Sequence, residues 1–402
     1  MNNQIKLFNK KEECCGCSAC ANICPKGAIK MEADGLGFLY PKIDEAKCIK
    51  CGLCKKVCAF NINYDKSLNL NEPKVYAVRH KDLKEIATSR SGAVFIALSD
   101  WVLNESGVVY GAGYTGHFRV VHKRAVTKIE RNEFKGSKYV QSDLNIVFKQ
   151  VKTDLENNKY VMFSGTPCQT AGLRSFLNLT GVNTDKLFLI DIVCHGVPSP
   201  YFWRDYINYI ERKNKQKIIE VNFRDKTKFG WTDHKESFKL EDTYTYTYTY
   251  TYTYTFYQHI MFRRSCGVCH FTNLKRPSDI TIGDFWGWQK VNPGFNADDK
   301  GVSLVLLNTE KGIKLFQLIK QEINFIKSDT EHCMQPNLQH PSVIHPKRDE
   351  FEKDYIKYGF VYVAKKYGNL GWKYKVLDSL RKVKNESKVL SWIWNLIRNR
   401  VK

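Results

Sequence analysis

Residues 14–25 read CCGCSACANICP and residues 48–58 read CIKCGLCKKVC. Both runs fit C-x2-C-x2-C-x3-C, with Cys14, Cys17, Cys20 and Cys24 in the first and Cys48, Cys51, Cys54 and Cys58 in the second. Thiolates at this spacing hold 4Fe-4S clusters, and in two-cluster ferredoxins the fourth cysteine of each run ligates the cluster of the other. The pairing expected is therefore Cys14, Cys17 and Cys20 with Cys58, and Cys48, Cys51 and Cys54 with Cys24. Zinc ribbons also use CxxC, but a tetrahedral zinc needs two pairs of thiolates, not two runs of four. A disulfide framework fits poorly, because cysteines this close in a helical turn cannot all pair and nothing in the chain reads as secreted. Residues 1–63 are thus expected to form a two-cluster ferredoxin-type domain. Pro25 follows the first run, Ala59 takes that place in the second, and Cys15 reads as a bystander between ligands.

The chain has 402 residues, enough for a second and larger domain with its own core. Its opening, MNNQIKLFNKKEE, lacks the apolar stretch of a signal peptide. The 14 cysteines are accordingly expected in a reducing cytoplasm. No apolar run reaches the roughly 18 residues of a membrane-spanning helix, so a soluble protein is expected, at most peripheral at the inner face of a membrane. The net charge of +22 is spread along the chain without a nucleic-acid motif. Such a surface attracts acidic partners, among them acidic electron carriers such as ferredoxin, and anionic lipid.

The Asn-rich stretch NINYDKSLNLNEPK (61–74) reads as a linker. Beyond it VYAV (75–78), VVYGAGY (108–114), YVMFSG (160–165) and LFLIDIVC (187–194) alternate with helical patterns at 92–103 and 171–177. This alternation predicts an α/β domain with a mixed sheet over 75–345, giving an α+β chain with a helical, basic extension at 346–402. Gly111, Gly113 and Gly116 match G-x-G-x-x-G, but HFRVVHKRAV follows as a second strand, so a glycine-rich hairpin is expected and a dinucleotide-binding fold is not. In SRSGAVFIAL (89–98), Ser89, Ser91 and Gly92 precede a helix, either as ordinary caps, the favoured reading, or as a phosphate site. The repeat TYTYTYTYTYTYT (243–255) has period 2 and predicts a strand in a hairpin, with tyrosines on one face and threonines on the other. The C-terminal stretch 375–402 carries Trp392, Ile393, Trp394, Leu396 and Ile397 among basic residues, a pattern of a membrane-surface helix or of a helix docked on its own domain.

Five cysteines lie outside the two runs. Cys168 and Cys194 each follow a predicted buried strand, and in open parallel sheets that edge is where ligands bind. Cys266 and Cys269 form a further CxxC in RRSCGVCHF. These four are expected to hold a third 4Fe-4S cluster. The alternative is that Cys168 and Cys194 are small buried hydrophobes while the CxxC binds zinc or nothing. Cys333, beside His332, has no assigned partner.

The segments SGTPCQTAGLRSFL (164–177), IDIVCHGVPSP (190–200), FRDKTKFGW (223–231), CGVCHFTNLKRPSDITIGDFWGW (266–288) and KGVSLVLLNTEKG (300–312) resemble the coenzyme F-420 hydrogenase/dehydrogenase beta subunit family from about Val75 to about Lys314. With the ferredoxin module in front, the chain resembles the bacterial branch associated with surface polysaccharide gene clusters. The resemblance implies a flavin, usually FAD, in the α/β domain. It maps the family's helix-start turn onto Ser91 and Gly92, with Ala93 where a second glycine is usual. GSKYVQS supplies Lys138, Tyr139 and Ser142; TPCQ supplies Thr166 and Gln169 around Cys168. RPSDITIGDFWG supplies Arg276, Asp279, Thr281, Gly283, Asp284 and Trp286. A flavin accepts electrons singly and delivers them in pairs, which suits an organic substrate fed by clusters. His195, next to Cys194, is the candidate proton donor, with a structural imidazole as the alternative. The function expected is an iron-sulfur, flavin-dependent oxidoreductase moving electrons between a low-potential carrier and a small molecule, with polysaccharide biosynthesis as one setting. The alternatives are a non-catalytic electron-transfer subunit of a larger redox complex, and a structural metal protein.

Overall fold

The computed structural model describes residues 6–372 except His234, 243–245 and 250, together with Tyr374 and Val376; of 246–249 it describes the backbone only. The dominant element is an eight-stranded mixed sheet. Its members are β3 (Lys74–His80), β4 (Val108–Thr115), β5 (Arg119–Ala125), β6 (Val161–Gly165), β7 (Leu187–Ile192), β11 (Ile280–Asp284), β12 (Ser303–Leu307) and β13 (Ile323–Ser328). They lie in the order β13-β3-β12-β11-β7-β6-β4-β5. The four central strands, β11, β7, β6 and β4, are parallel, and the outer ones pair antiparallel. Val161, Met162 and Phe163 of β6 are fully buried, as continuous apolar runs in a sheet covered on both faces must be. Each such side chain contributes roughly 1.5–3 kcal/mol of burial. Helices Val94–Asn104, Val147–Glu156, Pro167–Thr180 and Glu310–Leu318 cover the sheet. The chain is therefore α+β with a mixed sheet, as the alternation predicts.

The glycine stretch at 111–116 is a hairpin. β4 pairs antiparallel with β5 from Val109↔Ala125 to Thr115↔Arg119, and no helix follows it directly. A three-stranded antiparallel sheet lies beside the main one, formed by β8 (Ile218–Asn222), β9 (Glu236–Leu240) and β10 (Tyr246–Thr249) with β9 in the middle.

The Thr-Tyr repeat does not stay a strand. Its first part forms β10, but Thr251–Tyr257 is a helix. Tyr252 is buried there against Phe202, Trp203, Tyr206 and Phe223. Aromatic packing on that core outweighs the strand preference of alternating β-branched and aromatic residues, a propensity set by context.

The ferredoxin module is built on the hairpin of β1 (Ile29–Ala33) and β2 (Leu39–Ile43) and on two short helices, Ala19–Ile23 and Leu53–Lys56. It does not hang from a free tether. Cys15, Cys17, Ala19, Val57, Ala59 and Phe60 share one apolar core with Phe148, Leu173 and Phe176 of the large domain. The stretch that reads as a linker is tied down as well. Tyr64 is buried, its hydroxyl bonds Asn273 at 3.2 Å, and Asn69 donates to the Arg276 carbonyl at 2.9 Å.

The described part of the C-terminal extension is docked too. Helix Arg348–Lys366, kinked at Gly359 (φ 76), buries Phe351, Tyr355, Phe360 and Val363 in the core around Phe202. Trp392, Ile393, Trp394, Leu396 and Ile397 lie outside the described residues.

Candidate functional site

The two short helices of the ferredoxin module each follow a left-handed residue, Ser18 (φ 60) and Gly52 (φ 77). These turns aim backbone amides at sulfur. The Gly16, Ala19 and Ala21 amides face Cys14, Cys17 and Cys20, and that of Phe60 faces Cys58. Burial holds the Cys20 thiol well above its ordinary range, with Cys17, Cys14 and Cys58 adding to the effect. Burial likewise pushes Cys58 up to about 11, with Cys17 and Cys14 behind it. The first three cysteines of one run thus meet the fourth of the other. Cys24, Cys48, Cys51 and Cys54 line a second hollow with Ile29, Ile43, Ile49 and Leu53, and the Ala28 amide donates to the Cys24 sulfur at 3.3 Å.

A third ring of thiols forms at the carboxyl edge of the parallel strands. Cys168 follows β6 on helix Pro167–Thr180, Cys194 follows β7, and Cys266 and Cys269 come from the turn Arg264–Val268 and its end. Burial raises the Cys194 thiol well above its usual range, and Cys266, Cys168 and Cys269 act on it too. Burial takes Cys266 up to about 12 and Cys269 up to about 11. Donors face these sulfurs: the Val197 amide reaches Cys266 at 3.4 Å, and the Thr166 hydroxyl lies 3.2 Å from Cys168. Gly196 (φ +122) admits no side chain, since a Cβ would sit 2.6 Å from the Phe262 ring and 3.2 Å from the Cys266 Cβ.

Burial raises the thiols of Cys14, Cys20 and Cys58 in the first group and of Cys194, Cys266 and Cys269 in the third, with amides and a hydroxyl directed at the sulfurs. Bound cationic metal offsets that penalty on ionisation, so the donor set fits iron-sulfur clusters. Among the described residues no three Cys, His, Asp or Glu side chains close around a single ion.

Cys15 lies between the first and third groups. It is buried, and its thiol donates toward both Cys17 of the first ring and Cys168 of the third. That contact is the main cause of the lowering of the Cys168 thiol to about 7. Cys333 is a core residue packed with Phe285 and Leu338.

Beside the third ring lies a cluster of cationic side chains at the start of helix Val94–Asn104. The favoured capping role of the serines does not hold: the N-cap is Ala93 (φ 64), no side chain caps the helix, and the Ser91 hydroxyl bonds the Val302 carbonyl at 2.5 Å. Gly92 is required because a Cβ would lie 2.1 Å from the Val78 carbonyl oxygen. Four cations converge on this turn. Arg90 is half-buried, donates to Asn222 at 2.7 Å, and has an Nε with no partner among the described residues. Burial, then the charge of Arg224, lowers it to about 10. Burial also pushes Lys138 and Lys226 down to about 7 each, with Arg90 opposing the charge of both. Arg224 pairs with Asp284, and its guanidinium lies over the Trp286 ring, which stacks on Trp231 at 4.6 Å. Tyr139 bonds Arg224. Excess positive charge beside stacked indoles suits a ligand that joins a ring system to an anion, as FAD does.

His195 connects the two centres. It follows Cys194, and burial, then His259, lowers its imidazole, with Asp284 and Arg224 both close enough to act on it. The remaining residues mapped from the resemblance have mostly structural surroundings. Arg276 is buried with Asp191 at 3.1 Å and bonds Thr281 and the Ile192 carbonyl. Asp279 accepts from the Leu189 amide and the Thr309 hydroxyl, each at 2.8 Å. Gly283 abuts Val193. These residues lock β7, β11 and β12 together beneath the third ring. Gln169 closes a capping box with Thr166 and donates to Ser142, which bonds His122 at 2.8 Å. Arg90, Arg224, Lys226 and Arg263 carry no signal in the sequence that marks them for this site. The FRDK segment contains two of them, but an Arg-Asp-Lys triplet is an ordinary surface pattern until the fold turns it inward.

Residues 158–331 match the family model for the carboxyl-terminal part of the coenzyme F420 hydrogenase/dehydrogenase beta subunit, and residues 13–62 match the 4Fe-4S dicluster domain. No curated protein matches the chain. A solved structure, the xenon-derivatised F420-reducing [NiFe] hydrogenase complex from Methanosarcina barkeri, aligns at 16% identity and TM-score 0.45, covering 75% of this chain and 96% of that one. Over residues 158–331 the chain is therefore similar to the carboxyl-terminal part of the coenzyme F420 hydrogenase/dehydrogenase beta subunit, with a 4Fe-4S dicluster domain matched in front of it.

Proposed function

We propose that this protein is an iron-sulfur flavoprotein oxidoreductase that moves electrons between a low-potential carrier and a small-molecule substrate. The observation that carries the reading is the junction at Cys194 and His195, where a ring of four thiols and a cluster of cationic side chains share one sheet edge. Cys14, Cys17, Cys20 and Cys58 would hold one 4Fe-4S cluster, Cys24, Cys48, Cys51 and Cys54 a second, and Cys168, Cys194, Cys266 and Cys269 a third. Arg90, Lys138, Arg224 and Lys226 would bind the diphosphate of FAD near the amides of the helix start. The flavin, when bound, supplies the exchange between single electrons and electron pairs. His195, neutral because burial lowers its imidazole, would accept or relay a proton beside Asp284.

Electron exchange with a carrier would occur at the second cluster. Cys51 is exposed, as are Lys26, Lys47, Lys50, Lys55 and Lys56 of the same module, a basic character suited to an acidic protein such as ferredoxin. Among the described residues no helix is long and apolar enough to cross a membrane. A sugar or polysaccharide precursor as substrate rests on the family branch alone.

The test is anaerobic purification with iron, acid-labile sulfide and flavin counted per chain. About twelve irons with one FAD is the expected result; zinc in place of iron, or no flavin binding, would refute the assignment. The matched family takes its name from a beta subunit, which favours as second reading an electron-transfer subunit of a larger redox complex. An isolated chain that oxidises no donor with an artificial dye would select it.

A further inference from the structure

Three arginines rank among the large side chains that are fully buried: Arg131, Arg263 and Arg276. Two have a carboxylate at hand, Arg131 with Asp100 at 2.6 Å and Arg276 with Asp191 at 3.1 Å. Arg263 is built differently. Its Nε donates to the Cys14 carbonyl at 2.9 Å, Nη1 to the Gln141 side-chain oxygen at 3.0 Å, and Nη2 to the Leu39 carbonyl at 3.0 Å and to the Cys14 sulfur at 3.6 Å. The guanidinium lies over Tyr40 at 4.0 Å and Phe38 at 5.6 Å. Gly16 makes room for it, since a Cβ there would come within 2.9 Å of Nη1.

None of these bonds reaches a carboxylate, and a buried cation without counter-charge is costly. The anions within reach are sulfurs. The charge of Arg263 acts on Cys14 and Cys17 of the first ring and on Cys168 and Cys266 of the third. The described neighbours of Cys54 in the second ring are instead Cys48 and Cys51.

We infer that Arg263 is a positioning residue shared by the first and third clusters, whose fixed charge raises both reduction potentials above the value each would have without it and leaves the second cluster unaffected. The inference rests on the cluster assignment made above. Reduction adds one electron, and so one negative charge, to a cluster; the guanidinium stabilises that added charge. At an effective dielectric of about 20, a unit charge within about 10 Å changes such an equilibrium by roughly tenfold or more.

The experiment is a dye-mediated potentiometric titration with dithionite, followed by low-temperature EPR, on the full-length protein and its R263Q and R263K variants, with iron counted in each. In R263Q, at unchanged iron, two of the three couples should move negative by tenfold or more in their oxidised-to-reduced ratio, 59 mV or more for a one-electron couple, while the third moves less than threefold. R263K, which retains the charge, should stay within threefold throughout. Smaller shifts in R263Q, or an equal shift of all three couples, would overturn the inference. Should R263Q fail to take up iron, R263K decides alone: agreement with the parent within threefold supports the role of charge, and a larger shift overturns it. A parent protein without clusters would sink the cluster assignment itself, an outcome distinct from intact clusters with unmoved potentials.

Discussion

Replacing Arg90 by methionine should move stability and flavin affinity in opposite directions. The Arg90 Nε has no partner among the described residues, and Arg224 lies close enough to oppose its charge. Burial and that repulsion lower its pKa from the ordinary guanidinium range to about 10. At about 1.4 kcal/mol per unit the charged form is disfavoured by up to about 3.5 kcal/mol. The side chain is only half-buried, so solvent screening reduces the gain expected from R90M to about 1–2 kcal/mol. Methionine keeps the length of the stem and fills the same space without the charge. Binding changes the other way, because a charge-assisted hydrogen bond to a phosphate contributes about 1.5–3 kcal/mol. Loss of that bond should weaken FAD by roughly 10- to 150-fold. Thermal unfolding of the flavin-stripped protein and a flavin fluorescence titration give the two numbers. A variant that is less stable without flavin, or that binds FAD as tightly as the parent, would show that Arg90 is a structural residue and refute the diphosphate assignment.

Cys168→Ser should reduce the iron content from about twelve to about eight per chain while leaving the two N-terminal clusters in place; an unchanged count removes the third cluster from the account. Binding of FAD should be accompanied by proton uptake near pH 7.5, because an anion beside Lys138 and Lys226 raises both from about 7. Calorimetry in buffers of different ionisation enthalpy measures it, and the uptake should vanish below about pH 6, where both are already protonated. Glu236 is fully buried and burial raises it from 4.5 to about 8. Its folded pKa exceeds the unfolded one, so stability is full below about pH 4.5, falls as pH rises to about 8, and then levels. The total is a few kcal/mol at about 1.4 kcal/mol per unit. Glu236→Gln should flatten that profile in thermal melts between pH 5 and 8, and a variant that keeps the parent's slope would exonerate Glu236. Charge reversal at Lys50, Lys55 and Lys56 should slow reduction by an acidic ferredoxin at least tenfold at low salt while sparing reduction by a neutral dye; equal slowing with both donors argues against a docking face.

Much of the site is legible in the chain because its chemistry is local. Metal-ligand spacing survives any fold, so the crossed meeting of Cys58 and Cys24 with the opposite runs follows from residue numbers alone. Cys168 and Cys194 are legible for a different reason: a thiol directly after a buried parallel strand emerges at the ligand-binding edge, and β6 and β7 place them there. What is not legible depends on neighbours far away in sequence. Arg263 reaches Cys14, Gln141 and Leu39 across 249, 122 and 224 positions, and no local pattern marks it. Cys15 looks idle until helix Pro167–Thr180 brings Cys168 to it. The Thr-Tyr repeat misleads because its period of 2 is a strand signal, whereas residues 251–257 answer to an aromatic core built from segments far upstream.

The shared core beneath the ferredoxin module bears on how fast this protein works. A redox module on a flexible tether passes its electron only when a random encounter brings donor and acceptor near, so its rate varies with tether length and solvent viscosity. Here Cys17 presses on helix Pro167–Thr180 at Gly172, where a Cβ would lie 2.9 Å from its sulfur. The separation of the first and third centres is consequently a constant of the packing. If both groups hold clusters as proposed, transfer between them should be insensitive to viscosity, and any pacing by motion would belong to the arrival and departure of an outside carrier.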